Sequence, residues 1–299
     1  MSEEAIYSLQ HTDYRNRIFT AMNYISQYIE REVTLTEIAN ITSFSPFHFH
    51  RIFKAVVGEN VAEFTRRLRV ELAANRLLGY PEKDVTSIAL SCGFSSSQNF
   101  AKIFRQRYDA SPTEYRKKQA NNFQNRSVLN EFEPVLIGNA EKSYLKQVTI
   151  QEMPESKAAT VRRIGMFPES CENGFKELLT WAKQKTIIGP SKILALYWDN
   201  PDITPLDKCR FDCCLTLSND IDPSDPIFIQ KIGGGVWAFC RFETGSDGFR
   251  KAWEESFQWL IESGIECRPE PCYEIYYNNG QEHPESKWIF DIAIPLVQS

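Results

Sequence analysis

The chain has 299 residues, enough for two or three domains that each bury a core. Hydrophobic residues make up 42% and charged residues 24%, ordinary globular composition, and no run of 18 apolar residues occurs, which excludes a transmembrane helix. The net charge of −5 hides a split: residues 1–118 carry 16 Lys+Arg against 13 Asp+Glu, and the remainder 18 against 26, so the basic excess sits in the first segment.

The opening MSEEAIYSLQHTDYR is acidic and polar, without a secretory pattern, so a cytoplasmic location is expected. Residues 15–31 place Ile18, Met22, Ile25 and Ile29 on one helical stripe. Thr34-Leu-Thr-Glu37 reads as a capping box opening a short helix, with Leu35, Ile38 and Ala39 expected inside. Ser45-Pro46 then reads as an N-cap followed by proline at the first helical position, and Phe49, Ile52, Phe53 and Val56 point inward until Gly58. Residues 61–78 form one long helix with Val61, Phe64 and Leu68 on a face. At ~1.5 Å per residue it spans ~27 Å.

The same grammar returns about 50 residues later. Asp84 caps a helix with Val85, Ile88 and Ala89 inside, Gly93 turns the chain, and Ser95-x-x-Gln98 reads as a second capping box before Phe100, Ile103 and Phe104. A repeated short helix, tight turn and second helix is helix-turn-helix geometry, here at 34–57 and 84–108. The outward residues of the second helices are Phe47, His50, Arg51 and Lys54, and then Ser96, Ser97, Gln98, Asn99 and Lys102. Amide, imidazole and guanidinium groups suit base edges, while serine and lysine suit phosphates. An exposed Phe47 makes sense where it meets a partner.

Over residues 12–118 the chain closely resembles the AraC/XylS family of transcription regulators. The paired units, the run IALSCGFSSSQNFAKIFRQRYDASPTEYRK at 88–117 and its closing Pro112-x-x-Tyr115-Arg116 carry the resemblance. It implies that both recognition helices enter successive major-groove segments of one double-stranded DNA site. It maps base contacts onto Phe47, His50 and Arg51, and onto Ser97, Gln98, Asn99 and Lys102.

Residues 119–127 are polar and aperiodic, and LNEFEPVLIG beyond them suggests a short strand or strap, so 119–147 is expected to link domain 10–118 to a second at 148–299. There another repeat emerges at an offset of 79: Gln151 and Gln230, Tyr197 and Tyr276, Lys208 and Lys287, Phe211-Asp212 and Phe290-Asp291. Gly174-Phe175-Lys176 parallels Gly248-Phe249-Arg250 at the expected start of each half's helix. The fold class is therefore a multidomain chain, all-α and then α+β. Each half of the α+β domain reads strand, strand, helix, strand, strand, in one sheet with helices on one side.

Glu274 lies in the apolar run CYEIYY where the other half has Ala195. Either it points to solvent on an alternating strand, or it is buried and an offsetting cation is expected. Tyr197, Trp198, Trp237, Tyr276 and Phe290 are candidate walls for such a ligand. Residues 148–297 resemble the gyrase-inhibitor-like effector-binding domain of multidrug-sensing regulators, through the duplicated pattern, Tyr273-Glu274-x-Tyr276 and Ile294-Pro295-Leu296. That resemblance implies a pocket glutamate at Glu274 and lipophilic cationic effectors. The domain order is similar to that of Rob-type regulators.

The expected partners are DNA, a small-molecule effector and RNA polymerase, with no membrane, no metal and no cofactor. Two alternatives stay open for the second domain, a hydrolase of small electrophiles or a protein-interaction module. Against catalysis stand the absence of Gly-x-Ser-x-Gly and of a Cys–His pair, His283 being the one histidine of this half. The eight cysteines form no Cys-x-x-Cys pair and read as reduced thiols, although Cys267 and Cys272 are close enough in sequence to bridge.

Overall fold

The computed structural model describes residues 3–118, 144–165, 168–187, 190–223, 226–268 and 270–297. The chain divides into two compact units, Met1–Asn139 and Ala140–Ser299. Most of the linker expected at 119–147, including all of LNEFEPVLIG at 129–138, lies outside the described residues.

Among the described residues, the regular elements of the first unit are all helices. It comprises α1 (Glu3–Gln27), α2 (Leu35–Ile41), α3 (Pro46–Val57), α4 (Val61–Gly79), α5 (Val85–Ser91), α6 (Ser97–Tyr108) and α7 (112–118). Ile18, Met22, Ile25 and Ile29 are all buried, as the stripe requires. Each N-cap is a short polar side chain whose oxygen satisfies an orphan backbone N–H. Thr34, Ser45, Asp84 and Ser96 do so, and Asn60 forms a full capping box with Glu63.

The turns of the two helix-turn-helices share a hydrogen bond and a left-handed residue. Phe44 N–H donates to Ala39 O at 3.0 Å and Phe94 N–H to Ala89 O at 3.2 Å. Ser43 (φ 53°) and Gly93 (φ 81°) occupy the same left-handed position. Serine there bears a backbone cost that glycine avoids.

Two local expectations need correction. Leu35 is 38% exposed, because it sits at the first position of α2, ahead of the turn that faces the core. The second recognition helix is capped by Ser96 and not Ser95. The residue added in the second unit lies before the cap, so Ser96 and not Ser95 is the counterpart of Ser45.

The second unit is one antiparallel sheet of β1 (Leu145–Glu152), β2 (Ser156–Ile164), β3 (Ile193–Tyr197), β4 (Arg210–Leu217), β5 (Phe228–Ile232), β6 (Val236–Thr244), β7 (Cys272–Tyr276) and β8 (Trp288–Pro295). Helices α8 (Pro168–Lys183) and α9 (Phe249–Ser263) cover one face. The strand expected from 148 thus begins at Leu145. Gly174 lies inside α8 rather than at its start, where a Cβ would meet Cys213 Sγ at 2.7 Å. Its glycine lets the helix approach β4 closely.

The strand order is β1-β6-β8-β7-β3-β4-β2-β5. Outward from the β7/β3 centre the sheet reads β3-β4-β2 on one side and β7-β8-β6 on the other. The first strand of each half is exchanged: β5 pairs with β2, and β1 with β6. A local two-fold thus relates the halves at the residue offset of 79.

One row of register partners, Cys213, Ala195, Glu274, Ile292 and Cys240, faces the helices. The adjacent row, Arg162, Asp212, Leu196, Tyr273, Ala293 and Phe239, faces the other way. On that second face Arg162 forms a two-pronged pair with Asp212, both bonds 2.7 Å. The repeat-related Arg241 pairs in the same way with Asp291.

Candidate nucleic-acid interface and effector site

In the first unit the recognition helices are amphipathic, and their outward faces are the sequence-predicted ones. Phe47 is 68% exposed at the N-terminus of α3, and His50, Arg51 and Lys54 are exposed along the same helix. Arg51 lies over the Phe47 ring at 5.8 Å. On α6, Gln98, Asn99 and Lys102 are exposed and Ser97 half-buried. The half-buried Ser96 spends its hydroxyl on the Asn99 N–H at 3.2 Å, so its role in the helix is capping. Behind both faces, Phe49, Phe53 and Phe64, and Phe94, Phe100 and Phe104, interlock at centroid separations of 5.0 to 5.5 Å. Aromatic packing of this kind holds each helix rigidly.

In the second unit Glu274 is 2% exposed, which removes the solvent-facing alternative. It sits on β7 beside the local two-fold, beneath α8 and α9. Tyr197 donates its hydroxyl to Oε2 at 2.9 Å and the repeat-related Tyr276 donates to the same oxygen. Trp253 of α9 donates its indole N–H to Oε1 at 2.6 Å.

Burial pushes the Glu274 carboxyl above the usual carboxylate range, and the three donors pull against that shift without cancelling it. Burial and the neighbouring carboxylate drive both tyrosines well above their ordinary value, so they remain protonated donors. Among the described residues, burial and the three neutral donors are what shift Glu274. The site is thus one carboxylate held by neutral donors in an aromatic shell. Trp253 meets Tyr197 edge-on at 5.2 Å, and Phe175 of α8 meets Tyr276 edge-on at 6.1 Å.

Of the predicted walls, Tyr197 and Tyr276 touch Glu274 directly. Phe290 stands behind Tyr276 at 6.4 Å and stacks on Phe249 at 4.5 Å. Trp198 and Trp237 do not join them. Trp198 donates to Asp212 at 2.9 Å and covers Arg162, while Trp237 packs against Tyr273, both on the opposite face of the sheet. Side chains alternate faces along a strand, so proximity in sequence misled there. Trp253 and Phe175 were missed because they come from helices, where the strand repeat gives no pairing signal. A Trp on α9 four residues after Phe249, facing a strand carboxylate, was the available hint.

Two surface depressions of about 330 Å³ lie elsewhere, beside Lys157 and Asp220 and beside Lys176 and Trp181. The eight cysteines are unbridged, Cys267 and Cys272 included. Among the described residues no helix is long and apolar enough to cross a membrane.

Comparison with known proteins matches this architecture. Residues 146–297 fit the family model of the GyrI-like small molecule binding domain, and residues 38–118 that of a helix-turn-helix domain. The DNA gyrase inhibitor of Escherichia coli K12 is 32% identical over 151 residues, covering 49% of this chain and 94% of that protein. An AraC-type transcriptional regulator from Chromobacterium violaceum is 27% identical over 35% of this chain and 92% of its own, with a TM-score of 0.33. The EcmrR–DNA complex aligns over 89% of this chain and 100% of its own at 14% identity, with a TM-score of 0.47.

The chain belongs to the GyrI-like small-molecule-binding family, in a form that carries an AraC-type helix-turn-helix domain ahead of the binding domain. It is a DNA-binding regulator of transcription with a ligand-sensing second domain.

Proposed function

We propose that the effector is a lipophilic monocation and that Glu274 is its counter-ion. The single observation that carries this is a 2%-exposed carboxylate whose partners are all neutral and aromatic. An ionised group in that setting costs desolvation energy that a delocalised cation offsets, helped by the ring faces around it. Entry requires the Trp253 and Phe175 rings to swing aside, since Glu274 is only 2% exposed. On the DNA side, Phe47, His50, Arg51, Lys54, Ser97, Gln98, Asn99 and Lys102 are the contacts we assign, and Ser96 supports them as a cap.

Hydrolysis is the less favoured chemistry. A general base must reach water, whereas Glu274 is 2% exposed and already accepts three hydrogen bonds.

All six tryptophans lie in the second unit, so the intrinsic fluorescence of the full chain reports on that unit alone. Titration with lipophilic quaternary ammonium and phosphonium salts is expected to quench it saturably. Neutral isosteres should bind at least tenfold more weakly, and Glu274→Gln should erase the preference. Equal binding of cation and isostere would sink the counter-ion assignment.

A second reading, inhibition of DNA gyrase by the second unit, is favoured by the 32% identity to nearly the whole of a gyrase inhibitor. Inhibition of gyrase supercoiling by the purified chain at near-stoichiometric ratio would carry it.

A further inference from the structure

A stiff helix between the two helix-turn-helix units fixes their separation only if each unit is fastened to it. Two arginines on α4 make those fastenings. Arg69 and Arg76 lie seven residues apart, two turns along one face. Arg69 donates from Nε to Ile29 O at 2.9 Å and from Nη2 to Arg31 O at 2.8 Å, gripping the chain where it leaves α1. The same guanidinium packs against the turn of the second helix-turn-helix. A Cβ on Gly93 would stand 2.8 Å from Arg69 Cζ and 2.8 Å from Ile29 O. The turn of the second helix-turn-helix, the Arg69 side chain and the chain just after α1 are therefore in contact at one point.

Arg76 spans the same two parts directly. One of its nitrogens takes the Glu30 carboxylate of the first unit. The other donates to Ser91 O and to Ser91 Oγ, both at 2.9 Å, at the C-terminal end of α5. A cation belongs there, where helix carbonyls lack partners. The linkage continues into the first unit, since Arg31, whose carbonyl Arg69 holds, pairs through its own side chain with Glu37 of α2 at 2.5 Å. Polar contacts, continued through the backbone at Glu30-Arg31, thus run from the C-terminal end of α5 to α2.

We propose that Arg69 and Arg76 are positioning residues that set the spacing between the two DNA half-sites the protein accepts. This rests on the reading of α3 and α6 as recognition helices. Inserting one base pair between half-sites shifts the second by about 3.4 Å and turns it by about a tenth of a helical turn. A clasped pair of units cannot follow that shift, and an unclasped pair can.

The test begins by selecting duplexes from a library with a random 30-base-pair core, using the full chain. The best two-part sequence is then rebuilt with one or two base pairs inserted or removed between its parts. Wild type is expected to lose at least tenfold in affinity for each altered spacing. Arg76→Met and Arg69→Met should bind the original within a few fold and lose less than threefold on the same insertions.

Glu30→Gln guards against misfolding. Glu30 is half-exposed, so its substitution weakens the tie from the other side and should relax spacing part-way. Arg76→Lys, which keeps the charge and one bond, should restore part of the penalty. Variants that are folded yet show the wild-type spacing penalty overturn the inference and leave DNA recognition intact. Failure of wild type to select any two-part sequence overturns both.

Discussion

The two halves of the second unit share a backbone plan and diverge where their side chains meet solvent or the two-fold. On the first half, Arg162 and Asp212 are fully buried, and Trp198 and Gln230 also donate to Asp212 at 2.9 Å. The Arg162 guanidinium is covered by the Trp198 ring at 4.7 Å and the Phe228 ring at 5.6 Å. On the second half, Arg241 pairs with Asp291 and lies over Tyr277 at 4.3 Å, but its side chain is 42% exposed. The counterpart of Phe228 at the offset of 79 is Thr149, which cannot cover it. At the two-fold itself, Ala195 faces Glu274. The halves share a frame but differ in the exposure of their Arg–Asp pairs and in the residue at the two-fold.

That contrast can be broken first at the buried pair. Asp212→Ala removes the two-pronged partner of fully buried Arg162 and is expected to destabilise the second unit by about 3–5 kcal/mol. Urea unfolding followed by Trp fluorescence measures it. Asp291→Ala, with Arg241 already wet, should cost only about 1 kcal/mol in the same assay. Equal losses would mean that the halves are energetically alike despite their exposure.

The charge at the two-fold gives a pH signature. Because the folded-state pKa of Glu274 is raised, its contribution to stability is full below the ordinary carboxylate range and is lost as pH rises through the shifted value. Ligand-free Glu274→Gln should therefore be at least as stable as wild type at neutral pH. Cation affinity runs the other way, falling as pH drops and the carboxyl takes a proton, and the Gln variant should show a flat profile. A pH-dependent profile in Glu274→Gln would place the titrating group elsewhere.

Thr149→Phe sharpens the comparison from the opposite side. Covering Arg241 as Phe228 covers Arg162 should add about 0.5 kcal/mol of stability. No gain in the urea midpoint would show that the ring over Arg162 contributes shape rather than energy.

Sequence alone made the first unit legible almost residue by residue, because its caps, phenylalanines and turn glycine each do one local job at fixed spacing. It failed at Ser95 and Leu35, where a one-residue shift or a helix-end position decides exposure. The clasp of Arg69 and Arg76 was invisible, since both look like solvated residues of a long helix until distant carbonyls reach them.

In the second unit the repeat offset identified equivalent residues and singled out Glu274. It could not assign faces. Strands such as β4 are buried on both sides, so the apolar–polar alternation that separates faces is absent there. Trp198 and Trp237 were misplaced for that reason.

The exchanged outer strands have an ancestral consequence. Neither half can complete its own sheet, so a precursor chain of one half would have existed as an intertwined homodimer. In such a dimer each mutation at the symmetry axis appears twice, and a carboxylate there confronts its own image across a few ångströms. Joining the halves in one polypeptide lifts that constraint and permits a lone negative charge on the axis. The asymmetry at Ala195 and Glu274 is thus something gene fusion made available, which a symmetric assembly could not have held.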